Sequence, residues 1–245
     1  MNRLPKLVTK EKVIDQFKDA KQYSNWIANK LKSRIYIKVR SNLYALIDPS
    51  TNNVYSTKFE IASNISCSSF ICYHSALEYY GIANQVFNDI NVGSLTKFNN
   101  FMFMDNDFIF KQAKNVLFIN DVISEGIRVT SLEKTIIDCI DDFSLAGGID
   151  EVLYALEQIK YLKEDNLIMI LEDYDKMFLY QKVGYLLEKY NYQFNLSSNF
   201  FDKCKLHLTN KINYLVKSKF KKITLNKDWN LVIPLYIEEK TCGDY

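Results

Sequence analysis

The hydrophobic pattern changes its period once within the first fifty residues, and this change limits the possible fold more than any other feature. Apolar residues first recur at the spacing of an amphipathic helix and then alternate as in a half-buried strand. The helical spacing is carried by Tyr23, Trp26, Ile27 and Leu31. The alternation is carried by Ile35, Ile37 and Val39. The sequence therefore predicts a helix followed directly by a strand.

The neighbouring residues extend this prediction to a complete unit. Residues 9–17 are predicted to form a short helix capped by Thr9, and the second helix is expected to end near Ser33. Residues 35–40 and 43–47 read as two strands joined by a turn at Ser41 and Asn42, because Asn tolerates a positive φ. Helix, helix and hairpin is the plan of a winged helix-turn-helix. The first of its usual three helices is weak or missing in residues 1–8.

Positive charge is concentrated in the same segment. Residues 1–50 contain eleven Lys and Arg against four Asp and Glu, a net charge of +7, whereas the whole chain carries only +2. Such asymmetry indicates an anionic partner for the basic end. A second basic run lies between Lys203 and Lys222, and a solvated helix face is the simpler reading of it.

Duplex DNA is the partner that this combination predicts, because the second helix of such a unit enters the major groove. Gln and Asn can pair with adenine, Ser can bond several bases, and Lys and Arg hold phosphates. The strand residues Tyr36, Lys38 and Arg40 are expected to form a basic aromatic face. The predicted DNA-binding residues are Lys21, Gln22, Ser24, Asn25, Lys30, Lys32, Arg34, Lys38 and Arg40.

The rest of the chain reads as a larger sheet-and-helix domain. Antiparallel strands are predicted at residues 90–95, 101–104, 115–119 and 127–129, with helices following from residue 130 onward. The fold class is therefore α+β, with a winged helix-turn-helix domain at residues 1–55 and an α+β domain with a mixed antiparallel sheet at 56–245. No apolar run is long enough for a membrane span, and no signal peptide is evident, so a cytoplasmic protein is expected.

Catalytic readings of the larger domain are weaker than structural ones. Ser131 and Lys134 match an S-x-x-K pattern, but the partner motifs of those serine enzymes do not occur. Thr130 and Glu133 instead predict a capping box. An acidic cluster around residues 138–151 could attract a divalent cation, although carboxylates also favour helix N-termini. We expect no catalytic residue, no metal and no cofactor, and His74 is expected to be structural.

Two segments and a glycine pair carry a resemblance to a known family. The matching residues are His74, Ser75, Ala76, Leu77 and Gly81; Val129, Thr130, Ser131, Leu132, Glu133, Lys134, Thr135, Ile136, Ile137 and Asp138; and Gly147 and Gly148. In order and spacing they resemble the AbiEi family, the antitoxin and autorepressor half of bacterial abortive-infection toxin–antitoxin pairs. The resemblance covers roughly residues 9–160.

The resemblance implies a two-part protein that is not an enzyme. Its N-terminal winged helix would repress its own operon by binding inverted repeats in double-stranded operator DNA, with two copies on each operator. Its C-terminal domain would counter a nucleotidyltransferase-like toxin, in the best-known members without a stable complex. Two alternatives remain open at this point: a stand-alone winged-helix regulator with no toxin partner, and an enzyme whose acidic cluster binds metal.

Overall fold

The protein is α+β and divides into two compact units. The computed structural model describes residues 4–122, 124, 126–217 and 220–239. The first unit combines Met1–Ile71 with Phe87–Val129, and the second combines Cys72–Val86 with Thr130–Tyr245. The domain boundary predicted after residue 55 falls inside the first unit.

The described residues form eleven α-helices and twelve strands, numbered in chain order. The helices are α1 (Lys10–Val13), α2 (Ala20–Lys32), α3 (Lys58–Ser63), α4 (His74–Tyr79), α5 (Leu132–Asp141), α6 (Ile149–Gln158), α7 (Glu164–Tyr174), α8 (Met177–Lys189), α9 (Asn191–Phe194), α10 (Ser198–Leu206) and α11 (Leu235–Glu239). The strands are β1 (Leu7–Val8), β2 (Tyr36–Arg40), β3 (Leu43–Leu46), β4 (Phe70–Ile71), β5 (Asp89–Ser94), β6 (Phe101–Phe103), β7 (Asn106–Gln112), β8 (Ile119–Val122), β9 (Ile127–Thr130), β10 (Asn213–Tyr214), β11 (Ile223–Asn226) and β12 (Leu231–Pro234).

The N-terminal part of the first unit has the predicted helix, helix and hairpin. A 3₁₀ turn at Ile14–Gln16 follows α1, and α2 ends at Lys32 with Ser33 as its C-cap, close to the predicted end. The hairpin turn at Ser41 and Asn42 is also confirmed, with Asn42 at φ 62°. Among the described residues that precede α1, Leu7 and Val8 form β1, which completes a sheet of order β1-β3-β2.

The predicted phase of β2 is wrong. Tyr36 is only 1% exposed and its hydroxyl donates to the Pro5 carbonyl oxygen at 2.8 Å, whereas Ile37 is exposed. Strict alternation would bury Ile37 and expose Tyr36. The pairing of β2 with β3 shifts between Lys38 and Arg40, which breaks the alternation.

A six-stranded sheet forms the remainder of the first unit, in the order β6-β7-β5-β4-β9-β8. The strands of this sheet were predicted to be antiparallel, but β5 runs parallel to β7 and β4 runs parallel to β9. Strand β7 was not predicted, and the strand predicted at residues 115–119 lies too early, because β8 begins at Ile119. Buried Ile90, Val92 and Phe108 anchor the centre of this sheet.

The second unit is mainly helical. Its longest buried helix is α8, which packs against α5 and α10. Two glycines with positive φ lie at helix ends: Gly81 lies beyond α4 at φ 70°, and Gly148, at φ 112°, is the N-cap of α6. The capping box predicted for α5 is wrong by one residue. Ser131 is the N-cap and accepts from the Lys134 backbone N–H, while the Glu133 carboxylate accepts from the Lys163 backbone N–H at 2.9 Å.

Candidate nucleic-acid interface

An aromatic core fixes the orientation of α2 within the first unit. Tyr23 and Ile27 on one side of the helix are about 5% and 6% exposed, respectively. The ring of Phe17 lies 5.6 Å from that of Tyr23, and the ring of Trp26 lies 6.0 Å from that of Tyr36. Because this side of α2 is covered by large rings, the opposite side is held toward solvent.

The solvent side of α2 is a polar and basic stripe, which we call the outer face. At about 3.6 residues per turn, positions that follow Lys21 by four, seven, eight and eleven residues lie on one side of the helix. The exposed residues with this spacing are Lys21, Asn25, Ala28, Asn29 and Lys32. A lysine therefore lies near each end of the face, and two amides with one methyl group lie between them.

Two of the predicted base-contacting residues are exposed but already bonded within α2 and its cap. The Gln22 side-chain oxygen accepts from the Lys18 backbone N–H at 2.6 Å. The Ser24 hydroxyl donates to the Ala20 carbonyl oxygen at 2.8 Å. Asp19 caps the helix by accepting from the Gln22 backbone N–H at 2.7 Å. These bonds stabilise the first turn of α2 and engage the Gln22 side-chain oxygen and the Ser24 hydroxyl hydrogen.

The other predicted cations are distributed around α2 and the hairpin. Lys30 is half-buried and falls toward the core side of the helix. Arg34 follows the helix, is exposed and adopts a φ of 53°. Lys38 is exposed in β2. Lys32, Arg34 and Lys38 thus continue the positive charge from the end of α2 into the hairpin.

Arg40 is held by aromatic rings instead. Its guanidinium carbon lies 5.2 Å from the ring centroids of both Phe98 and Phe101. The side chain is half-buried, and this burial lowers the pKa of Arg40. Its Nη1 is buried and has no hydrogen-bond partner among the described residues. The contact attaches the end of β2 to the segment around β6, so Arg40 is not part of the exposed basic surface.

Ala28 and Asn29 are the members of the outer face that sequence reasoning missed. Gln22 and Ser24 were predicted instead, because their side chains can form hydrogen bonds and lie near the start of the helix. The spacing from Asn25, three residues to Ala28 and four to Asn29, would have identified both positions. Helical spacing was thus a better guide to the exposed face than residue type.

A cleft of about 680 Å³ lies beside the hairpin turn in the first unit. Its walls include Lys12, Asn42, Asp121 and Arg128. Burial, together with the Arg128 guanidinium, lowers the pKa of Lys12.

Both cations of the cleft are bonded to the protein itself. The Lys12 ammonium donates to the Asn64 side-chain oxygen. The Arg128 guanidinium donates to the carbonyl oxygen of Ser63, the last residue of α3, and to those of Ser66 and Cys67 in the loop that follows. The cleft is therefore a junction between α1, α3 and β9, and these bonds explain its charges without a ligand.

Several charged groups buried between the helices of the second unit are also paired. Lys134 donates to Asp138 at 3.1 Å and to the Tyr174 hydroxyl at 3.2 Å. Burial raises the pKa of Asp138 despite this neighbouring ammonium. Buried His74 lies 3.2 Å from Glu151. These contacts hold helices together.

The residues of the predicted acidic cluster do not converge. Asp141 pairs with Lys176 at 2.5 Å, and Asp142 accepts from the Ser144 backbone N–H. In the part of the chain that the structure describes, no group of three or more His, Cys, Asp or Glu residues is arranged to hold a metal ion. Across the same residues, every helix is too short or too polar to cross a membrane.

Comparison with known proteins gives a similarity of fold. No family model matches the chain. No curated protein matches it. Among solved structures, the chain is similar to the crystal structure of the RV2827C protein from Mycobacterium tuberculosis, with a TM-score of 0.66 and 10% sequence identity. The similarity covers 96% of this chain and 90% of that chain. At this identity it shows a shared fold across nearly the whole length.

Proposed function

We propose that the protein is a DNA-binding antitoxin and autorepressor, as the resemblance to the AbiEi family implies. The outer face of α2 is the observation that carries the DNA-binding part of this proposal. It presents two lysines and two amides on a helix whose other side is fixed by aromatic packing. In this proposal the first fifty residues act as a winged helix-turn-helix, with α2 in the major groove of the operator.

The positions of the cations fit contact with a DNA backbone. Lys21 and Lys32 are eleven residues apart, which is about 16 Å along a helix. Arg34 and Lys38 extend the exposed charge beyond the end of α2. These four side chains would neutralise phosphates, which positions a protein on DNA without reading its sequence. Because Arg40 is held by Phe98 and Phe101, we leave it out of the proposed interface.

A salt titration tests the proposal. Binding of the full chain to duplex DNA from upstream of its own gene would be measured by fluorescence anisotropy at several salt concentrations. Four neutralised phosphates per protomer predict a log–log slope of about −3.6, and about twice that for two copies on an inverted repeat. The double variant Lys21→Ala/Lys32→Ala should weaken binding and reduce the slope by about 1.8 per protomer.

A matched control separates this effect from a general loss of positive charge. Lys160 and Lys203 are exposed in the second unit. Replacing both with Ala removes the same charge and should leave the slope unchanged. Equal effects of the two double variants, or binding that does not depend on salt, would contradict a role for the outer face.

The antitoxin part of the proposal concerns the second unit, which contains nearly all the residues that resemble the AbiEi family. We propose that this unit counters a nucleotidyltransferase-like toxin. When a toxin of that class, encoded by a neighbouring gene, stops bacterial growth, co-expression of this protein should restore the growth. The Lys21→Ala/Lys32→Ala variant should still restore growth from a heterologous promoter, because the outer face would serve repression only. Growth arrest despite soluble wild-type protein would favour a stand-alone regulator.

A further inference from the structure

We propose that the outer face of α2 reads A·T base pairs, with Asn25 and Asn29 on adenines and Ala28 against a thymine methyl group. This inference rests on the proposed DNA-binding function and specifies the class of operator that the protein recognises. It also transfers base reading from Gln22 and Ser24, near the start of the helix, to its middle.

The two asparagines have the required hydrogen-bonding groups available. Asn25 and Asn29 lie one turn apart and are both exposed, and neither side chain is bonded within the described part of the chain. An Asn amide donates to one acceptor and accepts from one donor at the same time. The major-groove edge of adenine offers that combination, with N7 as acceptor and the N6 amino group as donor. By contrast, the Gln22 side-chain oxygen and the Ser24 hydroxyl already have partners at 2.6 and 2.8 Å.

Ala28 supplies the apolar contact. It is exposed between the two asparagines on the same face, and its side chain is a single methyl group. A small residue at this position lets the helix backbone approach the floor of the groove. The 5-methyl group of thymine is the apolar feature of the major groove, and Ala is among the residues that contact it. Adenine and thymine contacts from adjacent positions of one helix are consistent with a short run of A·T pairs.

The composition of the face disfavours G·C pairs at its centre. Guanine is recognised by Arg or Lys, and cytosine by Glu or Asp. The outer face has its lysines only near its ends, at Lys21 and Lys32, and it contains no acidic residue. Its central three positions therefore have no side chain suited to a G·C pair.

Selection followed by base substitution tests the inference. Duplexes bound by the full-length protein would be selected from a random library and sequenced, and A·T pairs should dominate the centre of each half-site. In the best duplex, 7-deazaadenine removes the adenine N7 acceptor and deoxyuridine removes the thymine methyl group. At the contacted adenines we expect affinity to fall by between about fivefold and 150-fold, equivalent to about 1–3 kcal/mol. At the contacted thymine we expect a fall of roughly fourfold.

Single variants assign each effect to its residue. For Asn25→Ala and for Asn29→Ala, replacing the adenine that the lost side chain contacted with 7-deazaadenine should no longer lower the affinity. Ala28→Gly should bind thymine and deoxyuridine duplexes equally. Because Gly weakens a helix, Ala28→Ser provides a second variant that should also lose the preference for thymine. Ser24→Ala is the matched control, since its hydroxyl is bonded to Ala20, and it should keep every base preference.

The outcomes separate this inference from the proposed function. Salt-dependent binding with G·C pairs at the centre, or with no response to either modified base, would overturn the inference and leave the DNA-binding function standing. Loss of the base preference in Gln22→Ala or Ser24→Ala, with the preference kept in Asn25→Ala and Asn29→Ala, would also overturn the inference and leave the DNA-binding function standing. No salt-dependent binding to any selected duplex would overturn both.

Discussion

The side-chain amide of Asn42 donates to both carboxylate oxygens of Glu11, at 2.8 Å each. The Asn42 side-chain oxygen also accepts from the Lys10 backbone N–H at 2.9 Å. One turn residue therefore ties the β2–β3 hairpin to the first turn of α1. The same residue adopts the positive φ that the turn requires. Its backbone and its side chain have separate roles that substitutions can distinguish.

Replacing Asn42 with Ala and with Gly should separate those roles. Asn42→Gly removes the bonds to Glu11 and Lys10 but keeps the positive φ, and we expect a loss of about 1 kcal/mol in the free energy of unfolding. Asn42→Ala also strains the backbone and should cost about 2 kcal/mol. Urea unfolding measures both. Equal losses would show that the side-chain bonds alone matter at this turn.

Replacing Arg128 with Lys should destabilise the protein although the charge is kept. A single ammonium cannot match a planar guanidinium that bonds the carbonyls of Ser63, Ser66 and Cys67. Because some of these carbonyl oxygens would lose their hydrogen-bond donor, we expect the free energy of unfolding, measured with urea, to fall by about 1–3 kcal/mol. Arg34→Lys is the control, because Arg34 is exposed and its side chain has no bond within the described residues. We expect that change to stay within about 0.5 kcal/mol.

The buried ammonium group of Lys182 should make the stability of the protein depend on pH. Its ammonium donates to the Ile140 and Asp141 carbonyl oxygens at 2.6 and 2.9 Å, and burial lowers its pKa from 10.5 to about 8. Between these two values the unfolded chain binds the proton more tightly than the folded chain does. Stability contributed by this group therefore rises as pH increases from about 8 to about 10.5.

Comparison with Lys182→Met isolates that contribution from other titrating groups. The stability of the wild type relative to this variant should increase across the same pH interval and stay level below it. Chemical unfolding at closely spaced pH values measures the difference. A difference that falls with rising pH would show that the folded environment favours the ammonium form.

Gly184 lies in the middle of α8 where the ring of Trp229 leaves no room for a side chain. A Cβ at this position would lie 2.1 Å from Cζ3 and 2.2 Å from Cη2 of that ring. Gly184→Ala should therefore destabilise the protein by about 1–3 kcal/mol, although Ala favours helices. In a Trp229→Leu background the same change should become neutral or stabilising. Thermal unfolding of the four proteins gives this comparison, and additive effects would contradict the clash.

Local signals in the sequence were sufficient for much of the first unit. The spacing of Tyr23 and Ile27 located α2, and the tolerance of Asn42 for positive φ located the hairpin turn. Within the candidate site, exposed Lys21, Asn25 and Lys32 followed from the same helical spacing. In each case the information lies within a few residues of the feature that it determines.

Other features depend on residues that are distant in sequence. Parallel pairing of β5 with β7 is decided by how the sheet assembles, and the strands themselves do not encode it. The shift between Lys38 and Arg40 reverses the burial of Tyr36 and Ile37, and alternation alone does not reveal it. Arg40 looked like a DNA contact because its aromatic partners come much later in the chain.

The contact of Arg40 with Phe98 and Phe101 also bears on how the N-terminal segment can fold. Lys6 pairs with Glu60 at 3.0 Å, and Lys12 bonds Asn64, so three cations of this segment are held by residues beyond its end. A fragment that stops at residue 55 would lack every one of these partners. The helix pair and the hairpin are thus stabilised by contacts with residues that follow them in the first unit. We expect the isolated segment to be less stable than the same segment in the full chain.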